Sequence, residues 1–287
     1  MAAAVSILRF PFFSLSAFVG TALFGLVAAA ALGADLLCPG DPMDMVARPN
    51  LWPGSDARFP LGTDMLGRDL WTGLVHGARV SLLVGFSATL LALAIGTAVG
   101  LAGGYFGGVA DDATTRLTEM VQTIPGFLFT IVLVVILSPS VHSIAFSVGV
   151  TFWPQVARLV RAEVLRVRES VFVKAAVVTG LGHGRILLAH VLPNVLSPVV
   201  VAASVLVANA ILLEASLSFL GLGDPSVVSW GGMIGAGREQ LRTAWYMAAL
   251  PGAAIIVTVV GITLLGNALN DRLNPRTAAR DGRRSDP

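Results

Sequence analysis

Charge is what this sequence has least of. Of 287 residues, 13% are Asp, Glu, Lys or Arg and 55% are hydrophobic, where a soluble globular chain carries about 25% charged residues. So little polar surface could not cover so much apolar material, so lipid must solvate much of the chain. Lysine is all but missing, with Lys174 the only one. A phosphate-binding P-loop needs Gly-x4-Gly-Lys-Ser/Thr, and Lys174 follows Val173. No ATPase centre is therefore expected in this chain. Cysteine is down to Cys38, which excludes an intrachain disulfide and a cysteine metal cluster. Asp35-Leu36-Leu37 before it lacks the small residue of a lipoprotein processing site, and Cys38 reads as inert. The net charge of +2 is too small to point to nucleic acid. His76, His142, His183 and His190 fall in separate segments without acidic support, so neither a metal site nor a cofactor is expected here. A membrane enzyme would need a catalytic grouping, and no His/Ser/Asp or HExxH pattern is present. An ion-driven carrier usually places ionisable residues at mid-membrane, and the apolar runs here are nearly free of them.

What is present is a series of charge-free runs: 10–34, 80–110, 120–157, 187–213 and 243–270. About 20 apolar residues cross a hydrocarbon core roughly 30 Å thick. Four runs fit one crossing each. The run 120–157 is too long for one, and Ser138-Pro139-Ser140 breaks it, so two helices joined by a turn at Ser138–Ser143 are expected. The expected fold is an all-α membrane protein with six transmembrane helices and a short helix outside the membrane between helices four and five. The first run could instead be a signal peptide, since Ala28–Ala31 supplies small residues, but it is longer than the usual signal core.

Basic residues set the orientation. Arg158, Arg161, Arg166, Arg168, Lys174 and Arg185 lie between helices four and five, and Arg272, Arg276, Arg280, Arg283 and Arg284 follow helix six. Two crossings separate the groups, so both can be cytoplasmic under the positive-inside rule. Parity then puts both termini inside and residues 35–79 outside. Arg48, Arg58, Arg68 and Arg79 in that outer loop run against the rule locally. The domain boundaries expected are 1–38 for the first segment, 39–79 for the outer loop, 80–273 for a five-helix core containing the loop 158–190, and 274–287 for the tail.

The segment 158–193 is the most informative. Ser170 suits an N-cap for a helix over Val171–Thr179, and Gly180 suits its stop. Phe172, Val173, Ala175, Ala176 and Val177 are too apolar for a solvated loop, so this helix lies either on the membrane surface or in another protein's groove. The spacing Ala175-Ala176, Gly180, Leu192-Pro193 resembles the "EAA" loop of ABC importer permeases, with Lys174 in place of the glutamate and His190 in place of the usual isoleucine. Other segments resemble the dipeptide, oligopeptide and nickel permeases of that group. They include Phe59–Asp64 with Gly67-Arg68-Asp69, Gly77–Leu82, Gly100–Tyr105, Glu214-Ala215, Leu217–Gly223, Ser229-Trp230-Gly231 and Asn274-Pro275-Arg276.

The resemblance covers roughly 59–276 and implies the C-type half of a heterodimer with a B-type permease. It further implies two ATPase subunits holding ATP and Mg, an extracytoplasmic solute-binding protein, and a bacterial inner-membrane location surrounded by lipid. It makes Val171, Phe172, Lys174, Ala175, Ala176, Gly180, Leu181 and Arg185 the candidate ATPase-coupling residues. Lys174 would favour an acidic group on that ATPase. By parity Glu214 falls near the outer end of helix five, where the penalty is small; at mid-membrane a carboxylate costs about 3 kcal/mol by insertion scales. It either lines a translocation path or caps a helix in contact with Arg238. Asn209, deeper in the same helix, is a path candidate or an interhelical hydrogen-bonding group. The glycines at 96, 100, 103 and 104 suit close helix packing. The expected function is ATP-driven import of di- or oligopeptides. The rivals are nickel import by the same machinery, an ion-coupled secondary transporter, and a scaffold without transport.

Overall fold

The computed structural model describes residues 15–273, and apart from two isolated bridge pairs their regular structure is helical. In chain order the helices are α1 (Leu15–Leu32), α2 (Ala34–Leu37), α3 (Leu70–Phe106), α4 (Gly108–Gln122), α5 (Gly126–Leu137), α6 (Val141–Arg168), α7 (Val171–Val178) and α8 (His183–Ile186). A π-helical turn (Leu187–Val191) follows, then α9 (Leu192–Phe219), α10 (Trp230–Gly237), a 3-10 turn (Arg238–Gln240) and α11 (Tyr246–Leu273). The expected tail motif at Asn274-Pro275-Arg276 and the tail arginines from Arg276 onward lie outside the described residues.

Four helical stretches are long and apolar enough to cross a membrane: Leu15–Leu32, Leu70–Phe106, His183–Phe219 and Tyr246–Asp271. The pair α4 and α5, bent by 80° at its break, makes a fifth if counted as one span. The expectation of six is thus met only to four or five by length and composition. α6 is long enough, at 28 residues, but His142, Gln155 and four arginines dilute its apolar character. The turn between α5 and α6 lies where Ser138-Pro139-Ser140 predicted it. Ser138 takes φ 67°, and Ser140 and Ser143 form a reciprocal capping box at the start of α6.

Two boundaries differ from expectation. α3 begins at Leu70, ten residues before the charge-free run, because Asp69 caps it by accepting from the backbone N–H of Trp71 and Thr72. His76 and Arg79 therefore belong to a helix rather than a loop. The Arg79 guanidinium bonds Asp35 at 3.0 and 3.2 Å and the Ala31 carbonyl at 3.1 Å, and His76 bonds the Cys38 carbonyl at 3.2 Å. These contacts lash α1 and α2 to α3, and the neighbouring guanidinium holds the Asp35 carboxyl below the usual carboxylate range. The second difference is the break at Thr123–Pro125. Pro125 has no N–H to continue the ladder and turns Ile124 away from helical geometry.

Small residues set the helix spacing. Gly96, Gly100 and Gly104 recur every fourth residue along α3 and meet Val156, Val160 and Val164, at the same interval on α6. α3 and α6 thus run parallel with backbones almost touching, the geometry small-residue stripes allow in lipid. Gly20 and Gly261 do the same for α1 and α11, and Gly85 admits Ile211 of α9. One buried cluster, containing Val160, Val164, Val173, Ile186, Val191 and Val195, ties α7 and α8 to the bundle.

The segment before α3 is ordered by polar contacts. Thr63 is fully buried; its hydroxyl donates to the Arg48 carbonyl at 2.6 Å and accepts from the Leu51 N–H. Tyr246 at the start of α11 donates to the Leu51 carbonyl at 2.8 Å. Gly62 and Gly67 adopt positive φ against Leu51 and Ala47, where any side chain would strike backbone. The Phe59–Asp69 motif is therefore a folded cap over the start of α3.

Candidate functional site

The first candidate region is the end of the bundle where α7 lies. α6 runs out through Arg158, Arg161, Arg166 and Arg168. Arg161 makes a bidentate pair with Asp111 of α4, and Arg166 pairs with Glu163 one turn back. Arg168 turns inward and donates to the carbonyls of Gly104 and Tyr105, both at 3.2 Å. It thereby satisfies carbonyls that the end of α3 leaves without helical partners. Tyr105, itself buried, bonds His183 Nδ1 through its hydroxyl at 3.0 Å. The end of α6 and the start of α8, which flank α7, are thus pinned to α3.

α7 itself is held by two side chains. Val173 and Ala176, three apart and so on one face, are buried in the shared cluster. Val171, Phe172, Val177 and Val178 point outward, Val171 84% and Val178 87% exposed. Ser170 precedes the helix as expected but makes no side-chain cap; its hydroxyl donates back to the Val167 carbonyl at 2.6 Å. The stop is as read. Gly180 takes φ +77°, its N–H reaches the Val177 carbonyl, and the Leu181 N–H reaches that of Ala176, a Schellman closure. Of the remaining candidates, Lys174, Ala175 and Arg185 are exposed and Leu181 is half-buried. An exposed apolar face of this kind marks a surface that meets either another protein or lipid.

Lys174 already has one acidic neighbour. Its ammonium lies 2.8 Å from Glu169, and that contact lowers the Glu169 pKa below the usual glutamate value. Both side chains of the pair remain exposed.

The second region is a cleft of about 620 Å³ along α4, α5, α6 and α9, opening at the α4–α5 break. Asn209 lines it and is exposed, beside Gln122, Thr151, Gln155 and Ser216. A smaller cavity of about 240 Å³ continues between α6 and α9, and Gln155 and Asn209 border both. Glu214 does not join them. It is 1% exposed, and its carboxyl oxygens accept from Ser81 of α3 at 2.9 Å and Ser218 at 2.7 Å. The expected contact with Arg238 is absent. Arg238 lies exposed after α10 with its guanidinium 5.7 Å over the Phe219 ring. The two serine hydroxyls satisfy the carboxyl without a cation, so Glu214 reads as a buried tie between α3 and α9. Neither it nor Arg238 lines the cleft. Gln122 and Gln155 were missed in the sequence; their signal was an amide side chain inside an otherwise apolar run.

Residues 80–279 match the family described as binding-protein-dependent transport system inner membrane component. The chain belongs to that family. Among curated relatives, this family member is 37% identical over 257 residues to the di/tripeptide transport system permease protein DppC of Pseudomonas aeruginosa, covering 88% of this chain and 85% of the relative. It is 34% identical over 266 residues to the dipeptide transport system permease protein DppC of Haemophilus influenzae, covering 91% and 90%. The glutathione transport system permease protein GsiD of Pectobacterium atrosepticum is 34% identical over 252 residues, covering 88% and 84%. Among solved structures, an inward-facing conformation of the MetNI methionine ABC transporter aligns with TM-score 0.58 at 18% identity. The alignment covers 70% of this chain and 96% of that one, and it shows a shared fold. A multi-pass membrane permease subunit follows from these matches and the apolar helices together.

Proposed function

We propose that this permease imports di- or oligopeptides across the bacterial cytoplasmic membrane as the C-type half of a heterodimer with a B-type permease. Two separate ATPase subunits, binding ATP and Mg, drive it, and an extracytoplasmic solute-binding protein delivers the cargo. On this reading α6 and the α4–α5 pair are both crossings, giving six, with both termini and α7 on the cytoplasmic side. The observation that carries it is α7. A helix anchored by only Val173 and Ala176, with Val171, Phe172, Val177 and Val178 presented outward, suits a groove on a moving ATPase. Arg168 and the Tyr105–His183 bond would pass that motion to α3 and α6, and the cleft between α5, α6 and α9 would open and close with them.

The peptide cargo is supported by the relatives, two named for dipeptide or di/tripeptide transport and one for glutathione. Nickel import by the same machinery remains the rival for cargo. The coupling reading is tested by replacing residues 171–181 with a Gly/Ser linker of equal length and measuring ATPase co-purification. Loss of the ATPases with the permease pair still assembled is the expected result. Undiminished co-purification would refute α7 as the docking helix.

A further inference from the structure

Gln122, Gln155 and Asn209 come from three different helices to one cleft. Among the described residues none of their side-chain amides has a hydrogen-bond partner, whereas the hydroxyls around them do: Thr151 donates to the Ser147 carbonyl and Ser216 to that of Leu212. Gln155 lies fourteen residues into α6 and Asn209 ten residues before the end of α9, about 21 and 15 Å along their helices. Gln155 falls in the charge-free run that ends at Ala157, and Asn209 in the run 187–213. An unpaired amide facing lipid tails there would be costly. They must face water or a polar group that visits.

The cleft is also free of charge: no Asp, Glu, Lys or Arg lines either of its two parts. Gln155 and Asn209 stand where the 620 Å³ and 240 Å³ spaces meet, so anything moving between them passes both amides. A volume of that size falls in the range of small-molecule sites. A carboxamide offers both a donor and an acceptor, the complement of a peptide bond, and is indifferent to the charge of the side chains that bond carries.

Resting on the peptide reading above, we infer that Gln122, Gln155 and Asn209 are this chain's cargo-contacting residues. They hydrogen-bond the backbone amide of the passing peptide, and their lack of charge is what lets acidic, neutral and basic peptides through alike. The pair at the waist, Gln155 and Asn209, carries most of the effect, with Gln122 at the helix break assisting.

The test uses the complete complex, with partner permease, ATPases and binding protein, in liposomes supplied with labelled Ala-Ala, Lys-Lys or Glu-Glu. Gln155→Leu and Asn209→Leu should each lower uptake of Ala-Ala about tenfold, the equivalent of one lost hydrogen bond, with the amount of assembled complex unchanged. The near-isosteric Gln155→Glu and Asn209→Asp should divide the substrates by charge, lowering Glu-Glu uptake relative to Lys-Lys by about tenfold. Charge sorting by these two variants supports the inference even where the leucine variants do not assemble. Uptake by the wild type with no charge sorting in Gln155→Glu or Asn209→Asp overturns it while leaving the peptide reading intact. Loss of the permease heterodimer in all four variants also overturns it, by assigning the amides to the partner chain. A wild-type complex that takes up none of the three peptides sinks the peptide reading itself.

Discussion

The α3–α6 contact permits a sharp test, because the structure predicts different outcomes at neighbouring glycines. A Cβ on Gly100 would lie 2.5 Å from the Ala157 carbonyl oxygen and 2.7 Å from Val160 Cβ, about 0.9 Å short of the 3.4 Å at which ordinary contact begins. The obstacle is backbone, so the helices must part. A gap of 0.5–1 Å forfeits roughly a quarter to a half of each contact along the stripe, and overpacking of this kind costs about 1–3 kcal/mol. Gly100→Ala should therefore destabilise the protein by about 2 kcal/mol in a denaturant titration in detergent micelles. At Gly104 the nearest atoms are Val164 Cβ at 2.8 Å and Cγ1 at 2.9 Å, with the Arg161 oxygen at 3.0 Å. Pairing Gly104→Ala with Val164→Gly removes the first two, so a double-mutant cycle should show favourable coupling. Gly100→Ala with Val160→Gly should show almost none, since the carbonyl remains. Gly25 in α1 has nothing within 4 Å of a built Cβ, and Gly25→Ala should be neutral or stabilising by up to about 1 kcal/mol. Equal stability of Gly100→Ala and wild type would refute the close approach of α3 to α6.

Three other consequences can be checked with similar means. Asp69→Ala removes the cap of α3 and should cost about 1 kcal/mol in the same titration, with Asp69→Asn retaining most of it. Glu214→Ala leaves the Ser81 and Ser218 hydroxyls unpaired in a buried site and should cost about 1–3 kcal/mol; adding Ser81→Ala and Ser218→Ala should recover part of that loss. Lys174→Glu sets like charges side by side and should weaken ATPase co-purification, and Glu169→Lys added to it should restore the pair and the yield. Because the Glu169 pKa is lowered, its contribution is present above the ordinary glutamate pKa of about 4.3 and is lost as pH falls through the lower folded value. Co-purification should thus be flat through this pair between about pH 6 and 8.

The parts of this molecule legible in the sequence are those governed by local rules. Gly180 ends α7 because only a left-handed residue closes that helix cheaply, and Ser140 starts α6 because its neighbour Ser143 completes the cap. What escaped depends on partners far along the chain. Arg79 looked like loop chemistry until Asp35 and the Ala31 carbonyl, 44 and 48 residues away, took up its guanidinium. For Glu214 the sequence left both a path-lining role and a contact with Arg238 open. Ser81, 133 residues distant, supplied a hydroxyl instead, which no spacing rule foretells. The break before α5 was visible as Ile124-Pro125-Gly126, but hidden in a run read for its lack of charge. Gln122 and Gln155 were passed over in that run for the same reason.

On the proposed mechanism, this permease carries peptides only when separate ATPases work on α7. The most direct measurement is labelled dipeptide uptake into liposomes holding the complete complex, with and without ATP inside and binding protein outside. Uptake that requires both, and that disappears when residues 171–181 become a Gly/Ser linker, is the expected result. Uptake by this chain and its partner permease without ATPases, driven by an ion gradient, would contradict it.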